Sequence, residues 1–492
     1  MKKTLLSALL AVTLCPAVAL ANPFAAVSKS WTYDHANTGV AGLTSEIVAF
    51  DKTTQTLWVA GVQGVDVLNA KTGQLIKHID TTMYGAINSV AIHNGVAAFA
   101  MESTVDRTQN GTIRLFNTTT MALAGGTNTI NVGALPDMIK FTPDGSKLLV
   151  ANEATPTVYG NPVLDPKGSV SIIDMGSRTV IHTAEFDAAP TSGSYLRTNT
   201  GMDFEPEYIA VSKDGSKAYV TLQEANGMGV IDLTNGTVTQ VVGLGVKDFS
   251  LPGNEIDPNH KDGKIELRPV SVRGLYQPDA IVAYDAQGKT YLVMANEGDT
   301  REDDGDKARA SSIGVGGDLK EINISTVDST PADLITFGGR SFSIRDEDGN
   351  LVYDSGNILD AKAIELGIYD DGRSDDKGVE PEGVEIMDIA GRIFAFIGLE
   401  RTTKGAIAIF DITDPTKTSF IDMLVTEGDL SPEGLFGFTM DGWHYLALAN
   451  EVSNTTSLYR LAEVPEPGSI ALMMAGVGML GMVRRRRQTA AA

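Results

Sequence analysis

The sequence predicts an all-β fold: a single seven-bladed β-propeller with a long insertion in the fifth blade. Two observations support this prediction. The 492-residue chain contains 51 glycines, and a glycine content this high favours many tight turns and short strands. Between Ile47 and Leu461 the chain also repeats a unit of four short apolar stretches seven times. Repeated units of four short strands are typical of propeller blades.

Five of the units share a Pro-acid pair at the start of the first stretch and a glutamate at the end of the second. The pairs are Pro136-Asp137, Pro206-Glu207, Pro278-Asp279, Pro381-Glu382 and Pro432-Glu433, and the glutamates are Glu153, Glu224, Glu297, Glu400 and Glu451. The distance from proline to glutamate is 17, 18, 19, 19 and 19 residues. An array of β-sandwich domains is the alternative, but sandwiches do not require the same acid at the same strand end in successive units.

Two segments interrupt the repeat. One spans residues 244–276, between the fourth and fifth units. The other follows Glu297 and extends to about Phe337, between the second and third stretches of the fifth unit. Long excursions from a rigid scaffold are where binding and catalytic residues concentrate. We therefore expect the functional site near the fifth blade.

The first 21 residues have the pattern of a secretory signal peptide. Two lysines precede an apolar stretch, and Ala19-Leu20-Ala21 offers small residues for cleavage. The single cysteine, Cys15, lies inside this segment, so the mature chain is expected to have no disulfide and no thiolate metal site. The sequence thus predicts a signal peptide over residues 1–21 and a propeller domain over residues 22–463.

Residues 464–492 have the pattern of a second targeting sequence. Pro465-Glu466-Pro467 is followed by the uncharged run Ile470–Val483 and by four arginines, Arg484–Arg487. This order resembles the PEP-CTERM sorting signal, which implies export in a Gram-negative bacterium, recognition by an exosortase and removal of the tail at the cell envelope. A short membrane anchor is the alternative, but the run is shorter than the ~20 residues that span a bilayer. We expect only transient contact with the membrane, through this tail.

The formal charge of −23 at pH 7 argues against nucleic acid as a partner, because phosphate binding needs clustered Lys and Arg side chains. Cations or cationic partners fit better. The six histidines share no close spacing, and no HExxH, GxSxG or Walker motif occurs. The sequence therefore identifies no catalytic residue.

Several sequence motifs of four to seven residues occur within or directly beside the repeats. They include Glu205-Pro206-Glu207-Tyr208, Ala295-Asn296-Glu297-Gly298-Asp299-Thr300-Arg301, Lys377-Gly378-Val379-Glu380-Pro381-Glu382-Gly383 and Gly398-Leu399-Glu400-Arg401. Over about Ile47–Leu461 they resemble the choice-of-anchor I proteins. This resemblance implies an exported, propeller-like domain joined to a C-terminal anchor. It also implies kinship with atypical alkaline phosphatases and with mesenchyme surface glycoproteins of biomineralising animals.

The repeated acids predict a cation site. In a propeller the first strands of all blades begin at the same end of the channel, so acids that recur once per blade converge there. The preferred metal ligands are Glu207, Asp279, Glu297, Asp299, Glu380 and Glu382. Oxygen ligands without thiolates select Ca²⁺, and less favourably Mg²⁺, over zinc or copper. The alternative is a structural role, in which each acid binds a backbone amide or an arginine of the next blade.

Arg301 and Arg401 follow two of the second stretches and are expected to bind a phosphoryl or carboxylate group of a substrate; pairing with the clustered acids is the alternative. Two functions from different classes remain. One is a Ca²⁺-stabilised surface module with a binding or structural role, whose ligand is an extracellular polysaccharide or a phosphorylated molecule. The other is a metal-dependent phosphoester hydrolase resembling atypical alkaline phosphatases, in which the cation polarises a phosphoryl oxygen. The sorting signal favours the first, which is the function we expect.

Overall fold

Strands make up most of the regular structure. The computed structural model describes residues 24–161, 163–198, 204–301 and 305–463; the predicted signal peptide and the C-terminal sorting signal lie outside the described residues. Within them there are 35 β-strands, one α-helix and six short 3₁₀ helices. None of the helices in these ranges is long and apolar enough to cross a membrane. The prediction of an all-β, propeller-like fold is confirmed.

The described residues form seven sheets of four or five strands and two smaller sheets, one of three strands and one of two. β1 (Phe24–Asp34) belongs to the seventh of the larger sheets. The first sheet contains β2 (Ile47–Asp51), β3 (Thr56–Gly61), β4 (Gly64–Asn69) and β5 (Leu75–Asp80). The second contains β6 (Ile87–His93), β7 (Val96–Met101), β8 (Asn110–Asn117), β9 (Ala122–Leu123) and β10 (Thr129–Ala134). The third contains β11 (Pro136–Phe141), β12 (Lys147–Asn152), β13 (Ser169–Asp174) and β14 (Thr179–Glu185). The fourth contains β15 (Thr191–Ser194), β16 (Ile209–Val211), β17 (Lys217–Leu222), β18 (Gly227–Asp232) and β19 (Thr237–Leu244).

The second half of the chain continues this order with additional strands. Between the fourth and fifth sheets lie β20 (Val246–Asp248) and β21 (Val272–Leu275). The fifth sheet contains β22 (Ile281–Ala286) and β23 (Lys289–Asn296), and the chain then passes through β24 (Lys307–Arg309), β25 (Asn323–Ser325) and β26 (Leu334–Thr336) before it adds β27 (Ser341–Asp346) and β28 (Leu351–Asp354). The helix α1 (Ile358–Glu365) precedes the sixth sheet, which contains β29 (Pro381–Ile389), β30 (Arg392–Leu399), β31 (Gly405–Asp411) and β32 (Ser419–Thr426). The seventh contains β33 (Pro432–Met440), β34 (Trp443–Asn450), β35 (Thr455–Glu463) and β1.

Local sequence explains the hairpins within each sheet. The turn between β11 and β12 holds Gly145 at a φ of 70°, and the Asp144 carboxylate accepts a hydrogen bond from the Ser146 amide at 3.0 Å. Glycine is the residue that adopts this left-handed conformation without steric cost. The strand β3 that follows the first strand β2 is buried along its whole length, whereas the outermost strand β5 is largely exposed. The first sheet therefore buries its second strand and presents its last strand to solvent.

The first strands of the seven sheets contact one another in a closed order: β2, β6, β11, β16, β22, β29, β33 and again β2. They surround a central channel. Aromatic side chains fill the spaces between neighbouring sheets. The Phe50 and Phe438 rings of the first and seventh sheets stack with centroids 3.9 Å apart, and Phe342 of the fifth sheet lies 4.5 Å from Phe410 of the sixth. Residues Val27–Leu461 form one compact unit.

The seventh sheet combines strands from both ends of the described chain. Its order is β1-β35-β34-β33, so a strand that precedes the first repeat lies beside the last strand. Lys29 of β1 reaches the buried carboxylate of Asp429 at 2.9 Å, and His35 Nδ1, directly after β1, lies 2.8 Å from Asp66 of the first sheet. The N-terminal segment therefore joins the last sheet to the first. The repeat pattern did not predict this strand.

The two segments that interrupt the repeat lie together. β26 pairs in parallel with β21, which comes from the segment between the fourth and fifth sheets. The buried Arg197 guanidinium also binds Asp306, and it lies 3.1 Å from Asp328. These contacts attach the excursion between β23 and β27 to the fourth sheet.

Candidate functional site

Seven positions, one at or next to the start of each first strand, form a ring around one end of the channel. They are Ile47, Asn88, Asp137, Glu207, Asp279, Glu382 and Glu433, and all of them line a cavity of about 390 Å³. We call this cavity the mouth. Five of the seven side chains are acids, and the two neutral ones belong to the neighbouring first and second sheets. The ring of acids is therefore open on one side.

Proline and a backbone bulge direct these acids into the mouth. Pro136, Pro381 and Pro432 each begin a first strand, and the pairing register shifts directly after each of them. The residues before them have φ values of 43°, 48° and 54°, a conformation uncommon outside glycine. Proline has no N–H for the ladder and so suits a strand start, while a bulge re-aims the side chains beside it. The sharp bend thus turns Asp137 and Glu382 toward the channel.

The ends of the second strands bring more carboxylates to the same place. Ten acids line the mouth: Asp137, Glu153, Glu207, Glu224, Asp279, Glu297, Asp299, Glu382, Glu400 and Glu433. The cationic side chains that line it are Lys377 and Arg401. So many carboxylates cannot all ionise in a confined space unless cations offset their repulsion; without cations, some of them stay protonated.

One group of acids has cationic partners from the chain itself. This paired cluster consists of Glu297, Glu380 and Glu400 with Lys377, Arg373 and Arg401. Lys377 Nζ donates to Glu297 Oε1 at 2.5 Å and to the Gly298 carbonyl at 2.6 Å, and it lies 3.0 Å from Glu380 Oε2. All three ammonium hydrogens therefore have an acceptor.

The paired cluster is completed by two arginines. Arg373 binds Glu380 at 2.5 Å, and Arg401 binds Glu400 at 2.6 Å. Burial lowers the pKa of Lys377, but the carboxylates of Glu297 and Glu380 outweigh it and hold that pKa well above its ordinary value. Lys377 is therefore a permanent cation inside the mouth.

A second group of acids has no such partners. This unpaired cluster consists of Asp137, Glu207, Glu224, Asp279, Glu382 and Glu433, and none of the six has a Lys or Arg nitrogen within 4.0 Å among the described residues. Glu207 and Glu224 are only 8% and 7% exposed. One carboxylate oxygen of each of Glu207, Glu224 and Glu382 is buried with no hydrogen-bond partner within the described ranges. A buried charge in this situation carries a large desolvation cost.

The unpaired cluster responds to this cost by holding protons. Burial raises the pKa of Glu207, Asp279 and Glu382 well above the ordinary range, and the neighbouring carboxylates raise it further. In the paired cluster, burial and the charges of Glu297 and Glu380 outweigh the effect of Arg401 and raise the pKa of Glu400 to about 8. At neutral pH the mouth therefore shares protons among its carboxyl groups.

Three carboxylates are spaced as ligands of one ion. Oxygens of Asp279, Glu297 and Glu382 all lie within 4.8 Å of one another. Ca²⁺ binds oxygens at about 2.3–2.6 Å, so two ligands of one Ca²⁺ ion lie up to about 5 Å apart. Oxygens of Glu297, Glu380 and Glu400 are equally close, but the Lys377 ammonium already lies among them. The first group is therefore the better match to a metal site.

The structure places most of the predicted site residues in the mouth. Glu207, Asp279, Glu297, Asp299 and Glu382 line it, as does Arg401. Glu380 lies behind this lining, bound to Lys377 and Arg373. Arg301 is not part of the lining: its guanidinium lies over the Tyr159 ring, 3.9 Å from the centroid.

Lys377 and Tyr208 also line the mouth, but the sequence did not predict them as site residues. Lys377 stands three residues before Glu380 in a motif from which the sequence predicts only Glu380 and Glu382 as site residues. Tyr208 follows the Pro206-Glu207 pair and lines the mouth. An isolated lysine or tyrosine beside repeated acids carries no periodic signal, so neither could be assigned from spacing.

Comparisons with known proteins support this architecture. The choice-of-anchor I domain matches residues 46–415, and the PEP-CTERM protein-sorting motif matches residues 463–487. Together they indicate an exported cell-surface protein of a Gram-negative bacterium, and the motif implies recognition by exosortase-type sorting machinery. The predicted localisation and sorting signal are confirmed.

Two curated proteins are similar over part of their length. The mesenchyme-specific cell surface glycoprotein of Strongylocentrotus purpuratus is 26% identical over 330 residues, which cover 53% of this chain and 41% of that protein. Gigasin-3a of Magallana gigas is 26% identical over 145 residues, covering 25% of this chain and 50% of that protein. The chain thus spans half or less of the length of these relatives.

Among solved structures, a chain of Kuenenia stuttgartiensis hydrazine synthase superposes with a TM-score of 0.52 at 13% sequence identity. The match covers 86% of this chain and 97% of that chain. At this identity the likeness concerns the fold alone.

Proposed function

The chain belongs to the choice-of-anchor I family, and we propose that it is a seven-bladed surface β-propeller that binds a divalent cation in the mouth of its channel. Seven blades are supported by the seven sheets and by the closed order in which their first strands touch. A closed ring also removes exposed sheet edges. The excursion between β23 and β27 is then an insertion in the fifth blade.

The unpaired cluster carries the cation proposal. Among the described residues, buried carboxylate oxygens of Glu207, Glu224 and Glu382 have no hydrogen-bond partner, whereas the acids of the paired cluster are bound by lysine and arginine side chains. The close group of Asp279, Glu297 and Glu382 adjoins those oxygens. A bound divalent cation would satisfy them and offset the repulsion among the acids.

Calcium fits this donor set better than magnesium. The candidate ligands are all carboxylate oxygens, which both ions accept. Mg²⁺ demands near-ideal octahedral geometry at about 2.0–2.1 Å and usually keeps several waters, whereas Ca²⁺ tolerates six to eight oxygens in irregular arrangements. Acids from several separate blades, each held by its own strand, suit the less demanding ion.

The role we propose is binding or structural. The sorting signal directs the protein to the cell surface, and one relative is by name a cell surface glycoprotein. A cation in the mouth would let the acidic protein hold an anionic group of an extracellular polysaccharide or a phosphorylated ligand. Arg401, which lines the mouth, would bind the same group.

Calorimetric titration of the metal-free protein with Ca²⁺ tests the site. We expect saturable binding in the native protein and at least tenfold weaker binding in the double variant Asp279→Asn with Glu382→Gln. The matched control is Asp388→Asn with Glu365→Gln, which alters one aspartate and one glutamate outside the mouth and should bind like the native protein. Equal binding by all three proteins would show that the mouth acids are purely structural.

Phosphoester hydrolysis is the second candidate, favoured by one observation: Arg401 lines the same cavity as the candidate ligands. A cation and a guanidinium on one phosphoryl group would stabilise charge developing on its oxygens. A screen of phosphoesters across metals and pH tests this function. Turnover that persists unchanged in Asp279→Asn with Glu382→Gln would exclude the mouth as its source.

A further inference from the structure

A second cavity adjoins the mouth and is lined by the first strands of the sheets. Its volume is about 300 Å³, and Ile47, Ser89, Met138, Tyr208 and Glu433 line both cavities. Because these residues are shared, the two cavities adjoin each other along the channel. Tyr208 stands at the junction with an apolar ring and a polar hydroxyl, a combination suited to a boundary between apolar and polar surroundings.

The inner cavity, which we call the apolar chamber, is lined mainly by aliphatic and aromatic side chains. Ile92, Val282 and Leu435 come from the first strands β6, β22 and β33, and each keeps part of its surface exposed. The charged residues Lys140 and Glu385 lie further along their strands than the acids of the ring. An apolar wall thus lies directly behind the acidic mouth.

We propose that the channel binds an amphiphile with an oxyanion head, a phosphate or a carboxylate. The head meets the cation and Arg401 in the mouth, and the apolar body enters the apolar chamber. This inference rests on the cation site proposed above, because without a cation the mouth acids would repel an anionic head. The apolar chamber then determines which oxyanions are retained.

The sizes of the two cavities agree with this class of ligand. Volumes of about 390 and 300 Å³ fall at the lower end of the roughly 300–1,000 Å³ found for small-molecule sites. Such sites combine apolar walls with a few polar groups that fix orientation. A sugar phosphate lacks an apolar body for the inner cavity, and a plain hydrocarbon lacks a head for the outer one.

A homologous series of ligands tests the proposal directly. The metal-free protein is first titrated with Ca²⁺ alone, and the calcium-loaded protein is then titrated with ethyl, butyl, hexyl and octyl phosphate. Each buried methylene contributes about 0.8 kcal/mol, so the affinity should rise about fourfold per methylene until the apolar chamber is filled. A parallel series of alkyl carboxylates identifies the head: equal slopes indicate any oxyanion, and a slope for phosphates alone indicates a phosphate ligand.

Variants of the chamber wall show where the alkyl chain of the ligand binds. Val282→Phe narrows the apolar chamber. The affinity for alkyl phosphates should therefore stop rising at a shorter alkyl chain than in the native protein, while the affinity for Ca²⁺ stays unchanged. Ala91→Leu adds a smaller volume to the wall of the same cavity. This variant replaces Val282→Phe in the test if Val282→Phe lowers the melting temperature. Val105→Phe is the matched control, because Val105 is 85% exposed and lines neither cavity.

The outcomes separate the two proposals. If Ca²⁺ binds but ligand affinity does not change with chain length, or if Val282→Phe and Val105→Phe behave alike, the apolar chamber holds no ligand and this inference is overturned while the cation site stands. If no Ca²⁺ binds, the cation site itself is wrong, and the amphiphile proposal falls with it.

Discussion

The paired and unpaired clusters of the mouth contain the same kinds of acid in the same cavity, yet they are neutralised differently. The paired cluster receives Lys377 and Arg373 from the segment between α1 and the sixth sheet, and Arg401 from the end of β30. The unpaired cluster receives no Lys or Arg partner from the described residues. Its acids hold protons instead, as the raised pKa values of Glu207 and Glu382 indicate.

The difference shows that repeat and non-repeat parts of the chain have separate roles. Each Pro-acid loop belongs to the repeat and delivers one carboxylate to the ring. Lys377 and Arg373 lie outside the repeat and neutralise only the acids beside them. The side of the mouth that these cations do not reach is left with excess negative charge, and this is where an external cation would bind.

The largest expected effect follows from removing the cation of the paired cluster. Lys377→Met leaves Glu297 and Glu380 buried without their shared ammonium, and breaking a buried ion pair from one side costs about 3–5 kcal/mol. We expect the free energy of unfolding of the metal-free protein, measured in urea at pH 7.5, to fall by that amount. Lys362→Met removes an exposed helix lysine bound to Glu365 and should change it by less than about 0.5 kcal/mol. Equal effects of the two variants would contradict the distinction between the clusters.

Calcium should stabilise the protein through the unpaired cluster. At a free Ca²⁺ concentration 100 times the dissociation constant, a ligand that binds only the folded state adds about 2.7 kcal/mol. In Asp279→Asn with Glu382→Gln we expect this gain to vanish. The metal-free variant should also be more stable than the native protein at neutral pH, because two carboxyl groups whose pKa is raised by folding have been removed. Thermal unfolding with EGTA and with Ca²⁺ measures both effects. A full calcium gain in the variant would place the ion elsewhere.

The pH dependence of the metal-free protein should reveal the buried protons. The pKa of Glu400 is about 8 when the protein is folded, whereas an unfolded glutamate ionises near 4.3. Between these values the folded state binds more protons, so the free energy of unfolding falls as pH rises, by at most about 1.4 kcal/mol per unit for this group. Urea unfolding at pH 5, 6, 7 and 8 should show a shallower fall in Glu400→Gln. An identical slope in both proteins would mean that Glu400 is ionised in the fold.

The smallest effect on stability is expected for Arg401. Its side chain is 43% exposed, whereas its partner Glu400 is buried and has a pKa raised to about 8. Because Glu400 can hold a proton when Arg401 is removed, we expect this pair to contribute only about 0–1 kcal/mol, as exposed pairs do. Arg401→Ala should therefore change stability by less than about 1 kcal/mol but weaken phosphate binding to the calcium-loaded protein about tenfold. Arg392→Ala is the matched control, since Arg392 pairs with Asp411 on the sixth sheet away from the mouth. Similar phosphate affinities of the two variants would remove Arg401 from the binding site.

The sequence by itself determined the all-β fold, the sorting signal and the family, because these depend on local features. Short apolar stretches separated by turns specify strands. A Pro-acid pair at the start of the first strand places an acid at the same end of five sheets, and a glutamate follows the second strand beside it. This is why Asp279, Glu297 and Glu382 could be predicted as neighbours although they lie in two sheets.

Only the tertiary structure decided how the ring closes and which acids are neutralised. β1 reaches β35 across more than 400 residues, through contacts such as the hydrogen bond between the Thr32 and Ser457 hydroxyls at 2.8 Å, and a single strand outside a repeat has no periodic partner in the sequence. The pairing of Lys377 with Glu297 joins residues 80 positions apart. A charged side chain is paired only if packing brings an opposite charge within a few ångströms of it. The spacing of residues along the chain does not determine that distance.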